Sequence, residues 1–260
     1  MKTKALVLTG VSVVAAAAVA VYGTILFPGR KIKAFEAEYL RPCLLDCGES
    51  AKFTEYSAKI ENGYLVENDV FSLMLPEAIV YEGEESDSEE KFYKEAAEDG
   101  TIRNVVIVQN GSSERMPSLR EINLNKMFEV DLPEPKDLEE GYEKLCGGYP
   151  DSMYEEEKCV AQLDLENFDY TDYNKAYAFC ELSALKGIYG YDSDVYVYEN
   201  GNICGVLYVD EMLRITGNPD SFGAVFKFYD TSNLNRSYSV QIVTESMDLV
   251  NGVINSITMK

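Results

Sequence analysis

Residues 194–209, DVYVYENGNICGVLYV, decide the fold. Two runs of β-branched and aromatic residues flank Glu199-Asn200-Gly201-Asn202, and a turn rich in residues that accept left-handed backbone makes the pair a β-hairpin. Downstream, residues 224–229 (AVFKFY) and 238–244 (YSVQIVT) alternate side chains with period two, and Asn233 and Asn235 mark the turn between them. Ser246 then caps a helix over 247–257, with Leu249, Val250, Val253, Ile254 and Ile257 on one face. Strands in succession followed by an apolar helical face predict an α+β fold, an antiparallel sheet covered by helices.

Further upstream the same reading gives strands at 64–66, paired with 57–60 across Asn62-Gly63, at 70–75 and at 103–108. Residues 82–90 (EGEESDSEE) form an acidic loop leading into a helix over 89–98 that Gly100 ends, and 117–128 reads as helical. Three prolines and three glycines make 131–150 a connection with one short helix. Helices follow at 151–161 and 171–185, the second capped by Thr171 and carrying Tyr173, Tyr177, Cys180 and Ala184 at helical spacing.

At the amino terminus, Lys2 and Lys4 precede an uncharged, mostly apolar run over 5–27, and Pro28, Gly29, Arg30, Lys31 and Lys33 follow it. At about 1.5 Å per residue such a helix spans a hydrocarbon core of roughly 30 Å. The expectation is a single-pass transmembrane helix through the lipid bilayer, with the large carboxy-terminal part extracytoplasmic. The alternative is secretion after signal cleavage near Ala20, where Ala18-Val19-Ala20 has the small-x-small form. The organisation is then an anchor or signal segment at 1–33, a stalk at 34–52 with a short helix over 34–40 ended by Pro42, and an acidic α+β domain at 53–260.

Once the five basic residues around the apolar run are set aside, 18 of the 23 lysines and arginines face all 45 acidic residues. Nucleic acid is excluded as a partner, because phosphate binding needs a basic face. Anionic lipid is repelled too, so the domain stands off the bilayer.

Residues 69–77, DVFSLMLPE, resemble the opening strand of PsbP-like α/β/α domains. The closing strands 224–229 and 238–244 with the helix ending Asn255-Ser256-Ile257 are similar to the end of such domains. The resemblance covers about 45 residues and implies an α/β/α sandwich tethered at a cell envelope; residues 131–169 depart from the pattern. It brings no catalytic residue with it.

The chain has no histidine, so Ser-His-Asp, Cys-His and His-metal sites are excluded, and no phosphate-binding glycine motif is present. Asp192 and Asp194, in a D-x-D triplet, are the candidate ligands for a hard cation such as Ca2+; no other cofactor is expected. Asp164, Glu166, Asp169 and Asp172 form a second acidic cluster. Six cysteines, Cys43, Cys47, Cys146, Cys159, Cys180 and Cys204, allow up to three disulfides, with Cys180 and Cys204 also readable as buried thiols. Tyr189, Tyr191, Tyr196, Tyr198 and Tyr208 gather around the hairpin and are the candidate partner-binding residues. The expected role is non-catalytic binding or scaffolding with an envelope protein or polymer. The alternative is a glycosidase-like enzyme using two carboxylates on an envelope polymer.

Overall fold

The computed structural model describes residues 27–44, 52–53, 58–82, 90–109, 117–189, 195–210, 213–215 and 218–260. Apart from Phe27, the apolar run 5–27 lies outside them. Among the described residues no helix is long and apolar enough to cross a membrane. The α-helices are α1 (Phe27–Phe35), α2 (Leu124–Met127), α3 (Leu138–Cys146), α4 (Met153–Ala161), α5 (Tyr173–Tyr189) and α6 (Met247–Asn255). The strands are β1 (Lys52–Phe53), β2 (Gly63–Glu67), β3 (Phe71–Pro76), β4 (Val80–Tyr81), β5 (Glu90–Ala96), β6 (Ile102–Gln109), β7 (Val195–Asn200), β8 (Ile203–Asp210), β9 (Phe222–Asp230), β10 (Asn233–Thr244) and β11 (Thr258–Met259). The chain is thus α+β with antiparallel sheets, and it divides into two compact units.

Among the described residues the first unit comprises 27–44, Leu119–Tyr149 and Leu165–Leu185. Residues 34–44, within the stretch read as a stalk, are helical throughout: α1 runs into a π turn over Glu36–Leu40 and a 3-10 turn over Arg41–Leu44. Ile32, Phe35 and Leu40 are buried, and the Phe35 ring lies 5.2 Å from that of Phe128. Pro28 does not break this helix because it occupies the first turn, where its missing N–H has no partner to lose. A Cβ on Gly29 would stand 2.6 Å from the Tyr170 carbonyl oxygen, so only glycine allows that approach. Asp137 caps α3 and Gly147, at φ 79°, ends it. α5 starts two residues later than expected: its cap is Asp172, whose carboxylate accepts from Lys175 N, rather than Thr171.

The second unit comprises Asp46–Ser118, Pro150–Asp164 and Lys186–Lys260. Its larger sheet has the order β1-β7-β8-β9-β10-β6-β5-β4, antiparallel except for β1 beside β7. The smaller sheet has the order β11-β3-β2. Alternation sends Phe226, Phe228, Val240, Ile242, Val106 and Val108 to the inner face of the large sheet. There they meet Phe71, Leu73 and Leu75 of β3 and Val250, Val253 and Ile254 of α6 in one core. Ser246 accepts from Leu249 N and caps α6, as the sequence predicts. The β7–β8 hairpin turns on Gly201, at φ 62°, which occupies the first position of a two-residue turn.

Three upstream elements differ from their sequence reading. Residues 58–60 carry no strand, and β2 pairs with β3 instead, the Asn68 side chain accepting from Val70 N and Phe71 N in the turn. The 89–98 helix is strand β5: its charged residues suggest a helix, but Tyr93 alternates inward to the core while Phe92 and Lys94 alternate outward. The 117–128 helix reduces to a 3-10 turn at Leu119–Glu121 and the single turn α2, capped by Asn123.

Candidate functional site

The outer face of the large sheet carries the candidate site, and it has two parts. Helix α4 covers one. Ser152 accepts from Glu155 N while the Glu155 carboxylate accepts from Ser152 N, and this capping box fixes where the helix begins. Tyr154, Glu157 and Lys158 then fall three and four residues apart, on the face turned to the sheet. Opposite them, β9 presents Lys227 and Tyr229, β8 presents Cys204 and β7 presents Glu199 near its end.

Glu199 accepts from the Tyr154 hydroxyl at 2.7 Å and from Lys158 Nζ at 2.6 Å. The Lys158 ammonium, then the Tyr154 hydroxyl, hold its carboxyl below the usual range. Burial, reinforced by Glu199, pushes the Tyr154 phenol up. Lys227 forms an ion pair with Glu157, and both side chains are almost fully buried. Burial raises the Glu157 carboxyl, with the Lys227 ammonium acting against it. The Tyr154 and Tyr229 rings lie 5.6 Å apart and pack with Cys204, whose thiol burial pushes up to about 12. Lys158 and Lys227 each meet a carboxylate across the seam, so its chemistry is that of a fastening between helix and sheet.

The other part lies at the β4 end of the sheet and is open. The register places Phe92 beside Ile107, Lys94 beside Val105 and Val80 beside Lys94. By alternation Val80, Phe92, Val105 and Ile107 share the outer face, with Val243 beside Val105 on β10. Val80 is 55%, Phe92 45% and Tyr81 40% exposed. These three residues sit on two paired strands, and among the described residues β4 is the last strand on that side. Lys94, which the register sets beside Val80 and Val105 on this same face, forms an ion pair with Glu82, and Gln109 Nε2 donates to Glu90 at 3.1 Å.

In the first unit, Glu181 on α5 is buried and accepts from the Tyr142 hydroxyl at 2.6 Å. Burial pushes its carboxyl up to about 7, against the opposing pull of the Tyr142 hydrogen bond.

The residues singled out from sequence are placed as follows. The described tyrosines do not form one face. Tyr196 and Tyr198 point into the core between the sheets, with the Tyr198 hydroxyl on Asn255 at 2.9 Å. Tyr208 alternates to the outer face beside Val225, and Tyr189 is buried with its hydroxyl on the Pro117 carbonyl at 3.0 Å. The β7–β8 register sets Tyr208 beside Val195 rather than beside Tyr196 or Tyr198, so the hairpin tyrosines separate onto two faces. Tyr191, Asp192 and Asp194 lie outside the described residues, as do Cys47 and the side chain of Cys43.

Cys146 and Cys159 are each disulfide-bonded, whereas Cys180 and Cys204 are free and buried, not bridged. In the second acidic cluster, Asp169 accepts from Thr171 N and Oγ1, and Asp172 caps α5 while pairing with Lys144. These are turn and helix-start roles. No group of three or more Cys, Asp or Glu side chains among the described residues is arranged to hold a metal ion. Glu67 and Asp69, two carboxylates beside a depression of about 370 Å³, share it with Lys91 and Lys260, and Lys260 forms an ion pair with Glu67 at 2.9 Å.

Sequence reasoning missed Val80 and Phe92 because a helix over 89–98 assigns no outward sheet face to Phe92. It missed Glu157 and Lys227 because neither belongs to a motif. No protein-family model matches this chain, and no curated protein matches it.

Proposed function

We propose that this chain is a non-catalytic binding or scaffolding domain, tethered by residues 5–27 in a cell membrane and working on its extracytoplasmic side. The observation that carries the binding role is the half-exposed pair Val80 and Phe92 on the outer face at the edge of the large sheet. Contiguous apolar surface of this kind marks interaction sites on soluble domains. The disulfide-bonded state of Cys146 and Cys159 supports an oxidising compartment, since cytosolic thiols are kept reduced. The resemblance of 69–77 and the closing strands to PsbP-like domains is in keeping with a tethered envelope domain.

The test is photo-crosslinking of the full chain in its native membrane, with the photoreactive residue at position 92 or, as a reference, at the exposed position 166. Adducts to an envelope component from position 92 and none from 166 are the expected result. Equal or absent adducts at the two positions would overturn the reading.

A further inference from the structure

We propose that strand β2 pairs with the β2 strand of a second copy of this chain, antiparallel and about a two-fold axis at Leu65, so that the two small sheets join into one. This surface is separate from the corner of Val80 and Phe92 and goes beyond the role given to it. Three observations carry the pairing.

The first is an open backbone edge. Among the described residues β2 is the last strand of the sheet β11-β3-β2. Asn68 N donates to the Phe71 carbonyl at one end of the β2–β3 pair, and Glu77 N donates to the Asn62 carbonyl at the other. Main-chain groups alternate sides along a strand, so Asn62, Tyr64, Val66 and Asn68 turn theirs to β3 while Gly63, Leu65 and Glu67 turn theirs outward. Met74, opposite Leu65, agrees: its N–H points away from β2 and donates to Ser256 Oγ at 2.8 Å. Among the described residues nothing pairs with the outward main-chain groups of Gly63, Leu65 and Glu67. Such an edge is a template for a further strand.

The second is composition. Edge strands are usually guarded by lysine or proline, and β2, GYLVE, contains neither. Tyr64 and Val66 face the core, and the outward three residues carry their side chains on the opposite face, where Leu65 is 56% exposed.

The third is self-complementarity, and it selects the occupant. A register centred on Leu65 engages all three outward residues: Leu65 with the partner's Leu65, Gly63 with the partner's Glu67 and Glu67 with the partner's Gly63. Each pair exchanges two hydrogen bonds. The leucines cover each other, and each carboxylate lies opposite a residue without a side chain. The two carboxylates stand four positions apart along the strands, roughly 14 Å, which exceeds the screening length of about 8 Å at physiological salt. Glu67 also keeps its ion pair with Lys260 at 2.9 Å. A strand of unrelated sequence finds the same hydrogen bonds without this match of leucine to leucine and carboxylate to glycine.

The experiment uses the full chain in detergent micelles at moderate salt, which screens the −22 carried by each copy. Light scattering over a concentration series gives the mass of the protein in the micelle, and a dimer is expected. Paired Cα atoms about 5.5 Å apart suit a disulfide. Under mild oxidation Leu65→Cys is therefore expected to yield at least about fivefold more interchain bridge than Glu67→Cys or the parent, read on non-reducing gels. Leu65→Lys sets two ammonium groups directly opposite and is expected to weaken the dimer at least about tenfold, with the far-UV circular dichroism unchanged. A protein that stays monomeric throughout the series would overturn the proposal. So would a dimer that Leu65→Lys leaves intact, because it forms through another surface. Bridging from Glu67→Cys as strong as from Leu65→Cys would overturn the two-fold register. Each of these failures leaves the binding corner untouched, since the crosslink from position 92 reports on that surface separately.

Discussion

Lys227, in the middle of β9, meets Glu157, in the middle of α4, in an ion pair from which water is almost excluded. The pair fastens the helix to the outer face of the large sheet, and its energetics are asymmetric. Removing one partner strands the other charge in an apolar setting and costs about 3–5 kcal/mol, whereas replacing both by apolar residues of similar size is close to neutral. Lys227→Met and Glu157→Leu alone are therefore expected to destabilise strongly, and the double variant to recover most of the loss. Urea unfolding of the four proteins measures this; a double variant as weak as the sum of the singles would show that the pair is not coupled.

Gly205 sits on β8 opposite Phe228, and a Cβ there would lie 2.4 Å from the Lys227 carbonyl oxygen and 2.9 Å from Phe228 Cα. Both of these are backbone, and the Phe226 ring stands at 2.9 Å as well, so the two strands would have to part. Gly205→Ala is expected to cost about 1–3 kcal/mol, the usual penalty of overpacking, or more. At Gly201, where nothing lies within 4 Å, alanine pays only for the positive φ, about 1 kcal/mol. Thermal denaturation of the two variants ranks them, and a larger loss at position 201 would contradict this account of the β8–β9 contact.

The cysteines divide by environment. Burial pushes the Cys204 thiol up to about 12 and the Cys180 thiol well above its usual range, so neither offers thiolate at neutral pH. Alkylation of the native protein, read by mass spectrometry, should leave both unmodified until denaturant is added. Reduction of the bridges at Cys146 and Cys159 should lower stability by about 2–5 kcal/mol. Modification of Cys204 in the folded protein would contradict its placement between α4 and the sheet.

The carboxy-terminal third was legible in the sequence because its signals are local. Period-two alternation at 224–229 and 238–244, the Gly201-Asn202 turn and the Ser246 cap each act over a few residues and agree with one another. The β5 stretch EKFYKEA was not legible, since its helix-forming charged residues compete with an alternation that only the pairing with β6 decides. The same error hid the open corner, because Phe92 acquires an outward face only once β5 is a strand. The Glu157–Lys227 fastening joins residues 70 positions apart, and no spacing in the sequence announces such a contact. The tyrosine cluster misled for the same reason: the face Tyr208 takes relative to Tyr196 and Tyr198 is set by the β7–β8 register and not by closeness in sequence.

Glu181 makes stability depend on pH in a direction opposite to that of most acidic residues. Its folded carboxyl is pushed up to about 7 from an ordinary value of 4.5, chiefly by burial, so the folded protein keeps a proton that the unfolded chain releases. The stabilisation is complete below about pH 4.5 and is lost progressively as pH rises through 7, amounting to about 3 kcal/mol across that window. Asp172 and Glu199, whose carboxyls are held low by partners that include lysine, contribute in the opposite sense, so the parent protein alone would blend the two trends. Glu181→Gln separates them: the amide resembles the protonated acid in shape, can still accept from the Tyr142 hydroxyl and carries no charge to bury. Parent and variant should be nearly equal near pH 4, and the variant should be more stable by about 2–3 kcal/mol at pH 8. Urea unfolding across that range checks it, and parallel curves for the two proteins would mean that the Glu181 carboxyl titrates in the folded state as it does in water.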